Sequence, residues 1–118
     1  MIAVIFEFEP APGGKQAYLD LAAGLKDVVK DFDGFISIER FESLSAPGHF
    51  VSLSFWRDEE AVRKWRNLQR HREVQAKGRA GIFESYRLRI ASVVRDYTMD
   101  DRAQAPADSL GFHSRVHG

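Results

Sequence analysis

Apolar and polar residues alternate or recur along this chain in six successive patterns. Ile2 to Glu9 has Ile2, Val4, Phe6 and Phe8 on one face, with Ala3 and Ile5 on the other until Glu7 and Glu9 turn it polar. That is the two-residue period of a strand, and apolar residues on both faces predict a central position in a sheet. Pro10, Pro12, Gly13 and Gly14 end it in a turn. From Lys15 to Phe32 the apolar positions Tyr18, Leu21, Ala22, Leu25, Val28, Val29 and Phe32 recur at three- and four-residue steps, the period of an amphipathic helix. Asp33-Gly34 closes it, glycine supplying the left-handed cap.

Phe35 to Leu44 alternates as a second strand, with Ile36, Ile38 and Leu44 on one face and Phe35 and Phe41 on the other. Charges inside the alternation, Arg40 and Glu42 among them, predict an edge strand or a face that meets polar partners. Ser45 to Gly48 is a turn of hairpin length, which predicts that Phe50–Trp56 pairs antiparallel with it. In that third strand Val51, Leu53 and Phe55 face one way, and Phe50, Ser52, Ser54 and Trp56 the other. Asp58 is placed to cap the next helix, with Glu59 and Glu60 in its first turn. Ala61, Val62, Trp65, Leu68 and Arg72 form one stripe, and His71, Val74, Gln75 and Gly78 a second. Trp65 and His71 stand roughly 120° apart on a straight helix, so both stripes reach the sheet only if the helix breaks between Asn67 and Arg70. Two helical pieces are predicted. Phe83–Tyr97 is the last strand, with Tyr86, Leu88, Ile90 and Val94 on one face and Arg87, Arg89, Val93, Arg95 and Tyr97 on the other. Residues 98–118 lose periodicity and read as a tail or arm.

Strand, helix, strand, strand, helix, strand is the ferredoxin-like βαββαβ plan of the α+β class, an antiparallel sheet with helices on one face. It spans residues 1–97. One chain then leaves the second, partly apolar sheet face uncovered, and a two-fold homodimer with sheets face to face is the economical cover.

Composition narrows the function. Seventeen basic and seventeen acidic side chains cancel, so no excess of positive charge is available for nucleic acid. No apolar run approaches the ~20 residues that span a bilayer. Cysteine is absent, which excludes disulfides, thiolate metal sites and thiol catalysis. The opening MIAVIFEFEP has no positive flank or cleavage site of a signal peptide, and a cytoplasmic location is the expectation. No phosphate loop, dinucleotide fingerprint or triad spacing is present.

The plan, together with DGFISIERFES, the hairpin into LSFWRDEEAVRKWRN, the following H-R-x-x-Q-x-x-G-R and the closing YRLRIASVVRDY, resembles the antibiotic biosynthesis monooxygenase (ABM) domain family. The resemblance implies a dimeric α+β barrel. It also implies a range of activities: oxidation of aromatic polyketides or quinols without metal or flavin, haem degradation, small-molecule isomerisation, or none known. In cofactor-free members the helix Trp lines the substrate cavity, and Trp65 matches it. Arg and Tyr side chains there hold an anionic aromatic substrate, with Arg89, Arg87 and Tyr86 nearest by position. Haem-degrading members carry an Asn on the first strand, where this chain has Phe6, Glu7 and Phe8. Their haem-ligating His also falls further beyond the helix Trp than His71 does. Haem is therefore the less favoured cofactor and none the expected one.

Cofactor-free oxygenation asks the protein for a dry cavity, a base, and donors that hold the substrate anion. Trp56, Trp65 and Phe50 are the candidate cavity lining, with core packing as the alternative. His71 is the candidate base, since the unperturbed pKa of an imidazole lies near neutrality; the alternative is a partly exposed histidine that satisfies the helix break. Asn67 is a candidate donor or a cap of that break. Trp65, His71 and Arg89 are thus the candidate catalytic set, and Trp56, Asn67, Phe50 and Tyr86 the candidate substrate contacts, with no metal site. Arg87, Arg89 and Arg95 are also expected to meet Glu39 and Glu42, either across strands or at the dimer seam. Glu7 is a possible buried carboxylate with a raised pKa unless an Arg pairs with it. His49 is expected to be solvated, and His113 and His117 make a poor metal site. The chain reads as a monooxygenase of a small aromatic or quinone-like molecule. The alternatives are a non-enzymatic dimeric small-molecule binding protein and a haem-degrading enzyme.

Overall fold

The computed structural model describes residues 1–75 and 81–108, with side chains 70–75 excepted. Strand β1 (Ile2–Pro10), helix α1 (Gly14–Val29), strands β2 (Phe35–Glu42) and β3 (Phe50–Trp56), helix α2 (Glu59–Gln75) and strand β4 (Phe83–Ser92) follow in the expected order. The sheet runs β2-β3-β1-β4, every pairing antiparallel. It is the ferredoxin-like α+β fold, with the two most apolar strands, β1 and β3, in the centre.

Register fixes the two faces. Ile2 pairs with Trp56, Val4 with Ser54, Phe6 with Ser52 and Phe8 with Phe50, and this face carries both helices. The core gathers there from Ile2, Val29, Trp56, Ala61, Val62 and Trp65, with Val4, Leu25, Phe32 and Leu68 packed against it. On the opposite face Ile5, Val51, Leu53 and Phe55 are half-buried under no element of the described chain.

Four boundaries depart from the sequence reading. β2 has a register shift between Phe35 and Ser37. The extra residue, Ile36, reverses the parity before it, so Phe35 packs on Trp56 at 5.3 Å between centroids instead of sharing a face with Phe41. A bulge of this kind leaves no mark in a two-residue alternation. α1 stops at Val29, three residues before Phe32, and Phe32 and Phe35 close hydrogen-bonded turns onto Val29 and Phe32. α2 runs without a break from Glu59 through Gln75, and Ala61, Val62, Trp65 and Leu68 of its first stripe pack in the core or against it; the side chains of the second stripe lie outside the described residues. β4 ends at Ser92, because its partner β1 begins at Ile2, and Val93 N donating to Met1 O at 3.0 Å is its last rung.

Asp58 caps α2 as its position predicts, its Oδ1 accepting from Ala61 N at 2.9 Å. Gly34 is required where α2 starts. Its φ is +89°, and a Cβ there would lie 2.5 Å from the Ala61 Cβ, so only glycine permits this turn to touch the helix. Arg57 ties the same corner, donating to both oxygens of Asp33 (2.9 and 3.3 Å) and to Asp58 (3.1 Å). Beyond β4 the described tail folds locally: Asp96 N donates to Gln104 Oε1 at 2.9 Å, and the Arg102 guanidinium lies 4.9 Å from the Tyr97 ring centre.

Candidate functional site

The helix-bearing face has two aromatic groups, one at each end. At the Ile2 end, Trp56 and Trp65 stand 5.9 Å apart between ring centres, with the Phe32 ring edge-on to both. Trp56 is 2% exposed and Trp65 8%, and the Trp56 indole N–H donates to buried Ser54 Oγ at 2.9 Å. This end is a filled core. The two serines of β3 make room for, and satisfy, an indole within it.

At the other end Phe8 meets Phe50, Tyr18 and Phe83, and Phe6 meets Tyr86. Phe50 is covered by Phe8 and carries the Lys15 ammonium 5.3 Å from its ring centre. Tyr86 stands at the rim, two-thirds exposed.

Along β4, between these ends, the helices leave a strip uncovered. Tyr86, Leu88 and Ile90 pair with Phe8, Phe6 and Val4 and so face the helix side, yet they are 66%, 49% and 44% exposed. A crevice of about 350 Å³ opens between this strip and α2, lined by Glu59, Glu60, Val62, Arg63, Arg66 and Ile90. Its floor is apolar and its α2 wall is charged. Arg63 is bound to both carboxylate oxygens of Glu60, and that bond holds the Glu60 carboxyl below its ordinary pKa. Four of its six lining residues are charged and two, Val62 and Ile90, are apolar, so the crevice presents a charged wall facing a small apolar floor, an arrangement suited to an amphipathic ligand.

The seven residues singled out in the sequence are not gathered in one place. Trp56 and Trp65 form the packed core behind Val62, and Phe50 lies in the opposite aromatic group. Tyr86 stands on the open strip. Asn67 is exposed on α2. His71 belongs to α2 by its backbone, and its side chain lies outside the described residues. Arg89 is on the helix-free face, where its Nη1 meets Glu7 Oε1 at 3.1 Å, so within one chain it shares no pocket with Trp65. Glu7, half-exposed and paired, is not a buried carboxylate, and the partner of Arg89 is Glu7 rather than Glu39 or Glu42. His49 is half-exposed but paired, its Nε2 lying 3.1 Å from Glu9 Oε1. His113 and His117 lie outside the described residues. Among the described residues no three His, Asp or Glu side chains converge to hold a metal ion, and no helix is long and apolar enough to cross a membrane.

Leu88, Ile90, Val62 and Arg66 were not singled out. The alternation of β4 does put Leu88 and Ile90 beside Tyr86, but how far α2 reaches over the sheet is a packing outcome that no local pattern carries.

The sequence profile described as antibiotic biosynthesis monooxygenase matches residues 1–77. This chain belongs to the antibiotic biosynthesis monooxygenase family. Within that ABM family it is 41% identical, over 98% of its length, to a protein named jasmonate monooxygenase ABM from the fungus Pyricularia oryzae, of which it spans 58%. It is 31% identical to the uncharacterized protein YqjZ of Bacillus subtilis, over 66% of this chain and 67% of that one. Among solved structures, Rv0793 of Mycobacterium tuberculosis matches with a TM-score of 0.68 at 20% identity, covering 82% of this chain and 98% of that one. The heme-degrader MhuD from the same organism, with two hemes in its active site, matches at 0.63 and 19% identity, covering 83% and 100%. At these identities the two structures share the ABM fold with this chain, and nothing about its substrate follows from them.

Proposed function

We propose that the chain is a monooxygenase that takes a small, ring-bearing lipophilic molecule into the crevice between α2 and β4, in each subunit of a homodimer. The observation that carries this reading is the 41% identity with a jasmonate monooxygenase along nearly the whole chain. The crevice supports it with an apolar floor in Ile90 and Val62, and the exposed Tyr86 stands further along the same face of β4. Jasmonate, a cyclopentanone with a carboxylate side chain, is the first substrate to test; a phenol or quinol of similar size is the second.

The reaction is proposed to need neither metal nor flavin. A base removes a C–H proton beside a ring carbonyl, or the O–H proton of a quinol, and the resulting anion reduces O₂ directly. In a ketone an activated CH₂ becomes C=O; in a quinol one ring C–H becomes C–OH as the ring goes to the quinone. In both, one oxygen atom enters the product and the other leaves as water, so the substrate supplies every electron. His71 is proposed as the base, since an imidazole titrates in the right range. Tyr86 is proposed to donate to the anionic oxygen. The homodimer would bring two copies of the Ile5, Val51, Leu53 and Phe55 face together and leave both crevices open.

The test is incubation of the purified protein with jasmonic acid, and separately with a naphthoquinol, under ¹⁸O₂ without added reductant. One labelled oxygen in the product and one O₂ consumed per turnover is the expected result. Turnover only with added reductant, haem or metal would sink the cofactor-free mechanism. Tight binding without any product would favour the alternative of a non-catalytic binding protein, which the closed aromatic core around Trp65 also suits.

A further inference from the structure

Of the two arginines that line the crevice, only Arg63 is occupied, held by Glu60 through two hydrogen bonds. Arg66, one turn further along the same wall, is exposed and has no carboxylate partner among the described residues. It stands beside Val62 and opposite Ile90, which are apolar. Glu59, the remaining acid of the lining, is two turns away, about 10 Å along the helix axis. Among the described residues, the Arg66 end of the crevice therefore presents a guanidinium without a carboxylate partner over an apolar floor, with the Arg63–Glu60 pair one turn away. A guanidinium offers a fork of donors that matches a carboxylate in two parallel hydrogen bonds.

We propose that Arg66 is the carboxylate anchor of this crevice, and that its ligands are lipophilic carboxylic acids seated with the ring on Ile90 and the acid on Arg66. This inference rests on reading the crevice as the ligand site. It goes further in fixing the ligand's orientation and in predicting discrimination between an acid and its ester. The ring end then lies along β4 toward Leu88 and Tyr86, and the acid end is held away from the chemistry. Arg66 is a positioning residue in this arrangement.

The test is calorimetric titration at neutral pH and low salt with two matched pairs, jasmonic acid and its methyl ester, and 1-naphthoic acid and its methyl ester. Wild type is expected to bind each acid about 5- to 20-fold more tightly than its ester, the range for a charge-assisted pair in a half-open site. Arg66→Gln should erase that preference, with the acid losing more affinity than its ester, while Arg66→Lys should keep part of it. Unchanged melting temperatures would show that the variants fold. Equal affinity for acid and ester in wild type, a preference that survives Arg66→Gln, or no binding of any of the four probes would overturn the proposal. Because the readout is binding, it fails separately from the oxygenase reading. An acid preference without labelled product keeps Arg66 and removes the monooxygenase. Labelled product that is indifferent to Arg66 does the reverse.

Discussion

Trp56 of β3 and Trp65 of α2 meet with their rings tilted by 35° and their centres 5.9 Å apart, and neither reaches solvent to any useful extent. Trp65, singled out from the sequence as a candidate cavity lining, is buried between helix and sheet against Trp56 and Phe32. Trp65→Ala removes a buried indole from contact with Trp56 and Phe32 and should cost about 3–5 kcal/mol of stability, the range for large-to-small changes in a core. Urea titration followed by circular dichroism measures it. A variant as stable as wild type would mean that Trp65 is not packed as described.

Much of this fold could be read directly. Alternation in β1 and β3, the helical period of α1 and the turn residues at Pro10–Gly14 and Ser45–Gly48 each specify an element locally, and together they allow few topologies. The Asp58 cap was legible for the same reason: an Asp just before an acidic first turn has few other uses. What stayed hidden depends on distant contacts. The extra residue at Ile36 reverses a face and is fixed only by the Phe35–Trp56 contact. The unbroken course of α2 from Glu59 to Gln75 carries no local mark either, since two apolar stripes fit a straight helix as well as a broken one. The site was the least legible part, because aromatic residues mark cores and cavities alike. Trp56 and Trp65 turned out to fill space, and the open strip was left to the plainer residues Leu88 and Ile90.

Gly34 gives a sharper test of the corner where α2 begins. Gly34→Ala must hold a side chain at φ +89° and also push its Cβ to within 2.5 Å of Ala61. Backbone strain alone costs on the order of 1 kcal/mol, and the clash adds to it. Thermal melting should show a clear loss, and the double variant Gly34→Ala with Ala61→Gly should recover part of it. No recovery would place the strain elsewhere.

The same corner predicts an acid-sensitive component of stability. The Arg57 guanidinium holds the Asp33 carboxyl below its usual pKa, and the Ala61 N–H, with Arg57 second, does the same for Asp58. A carboxylate with a depressed folded-state pKa stabilises the fold above its unfolded pKa of about 4. That contribution is lost as pH falls through the lower folded value. All three groups are solvent-accessible, so the effect is modest and screened by salt. The melting temperature of wild type should exceed that of Arg57→Gln at pH 6, with the gap closing below about pH 3. A gap independent of pH would assign the difference to packing of the Arg57 stem.

The helix-free face sets an expectation for assembly. Leu53 lies at its centre, between Ile5 on β1 and Glu39 on β2, with no described element above it. If two such faces meet, an Asp at position 53 buries a charge without a partner, a cost that dissociates most interfaces. Light scattering should give wild type a mass of about twice 13.4 kDa and Leu53→Asp the single value. A wild type that runs as a monomer removes the homodimer from the proposed function.

Ile90 permits the most direct test of the crevice, because it lines the opening yet contributes little to the core. With 44% of its surface exposed, replacement by Trp need not disturb packing beneath it. The larger, flat side chain would narrow the crevice of roughly 350 Å³ between β4 and α2. Ile90→Trp should therefore lower ligand affinity, and with it any turnover, by about tenfold, since the indole would stand where the ligand ring is proposed to lie. The melting temperature should stay within a few degrees of wild type. Leu44→Trp is the control: it adds the same bulk at a fully exposed position beyond the end of β2 and should change neither quantity. If Ile90→Trp binds and turns over like wild type, the ligand sits elsewhere, and the Arg66 anchor goes with it.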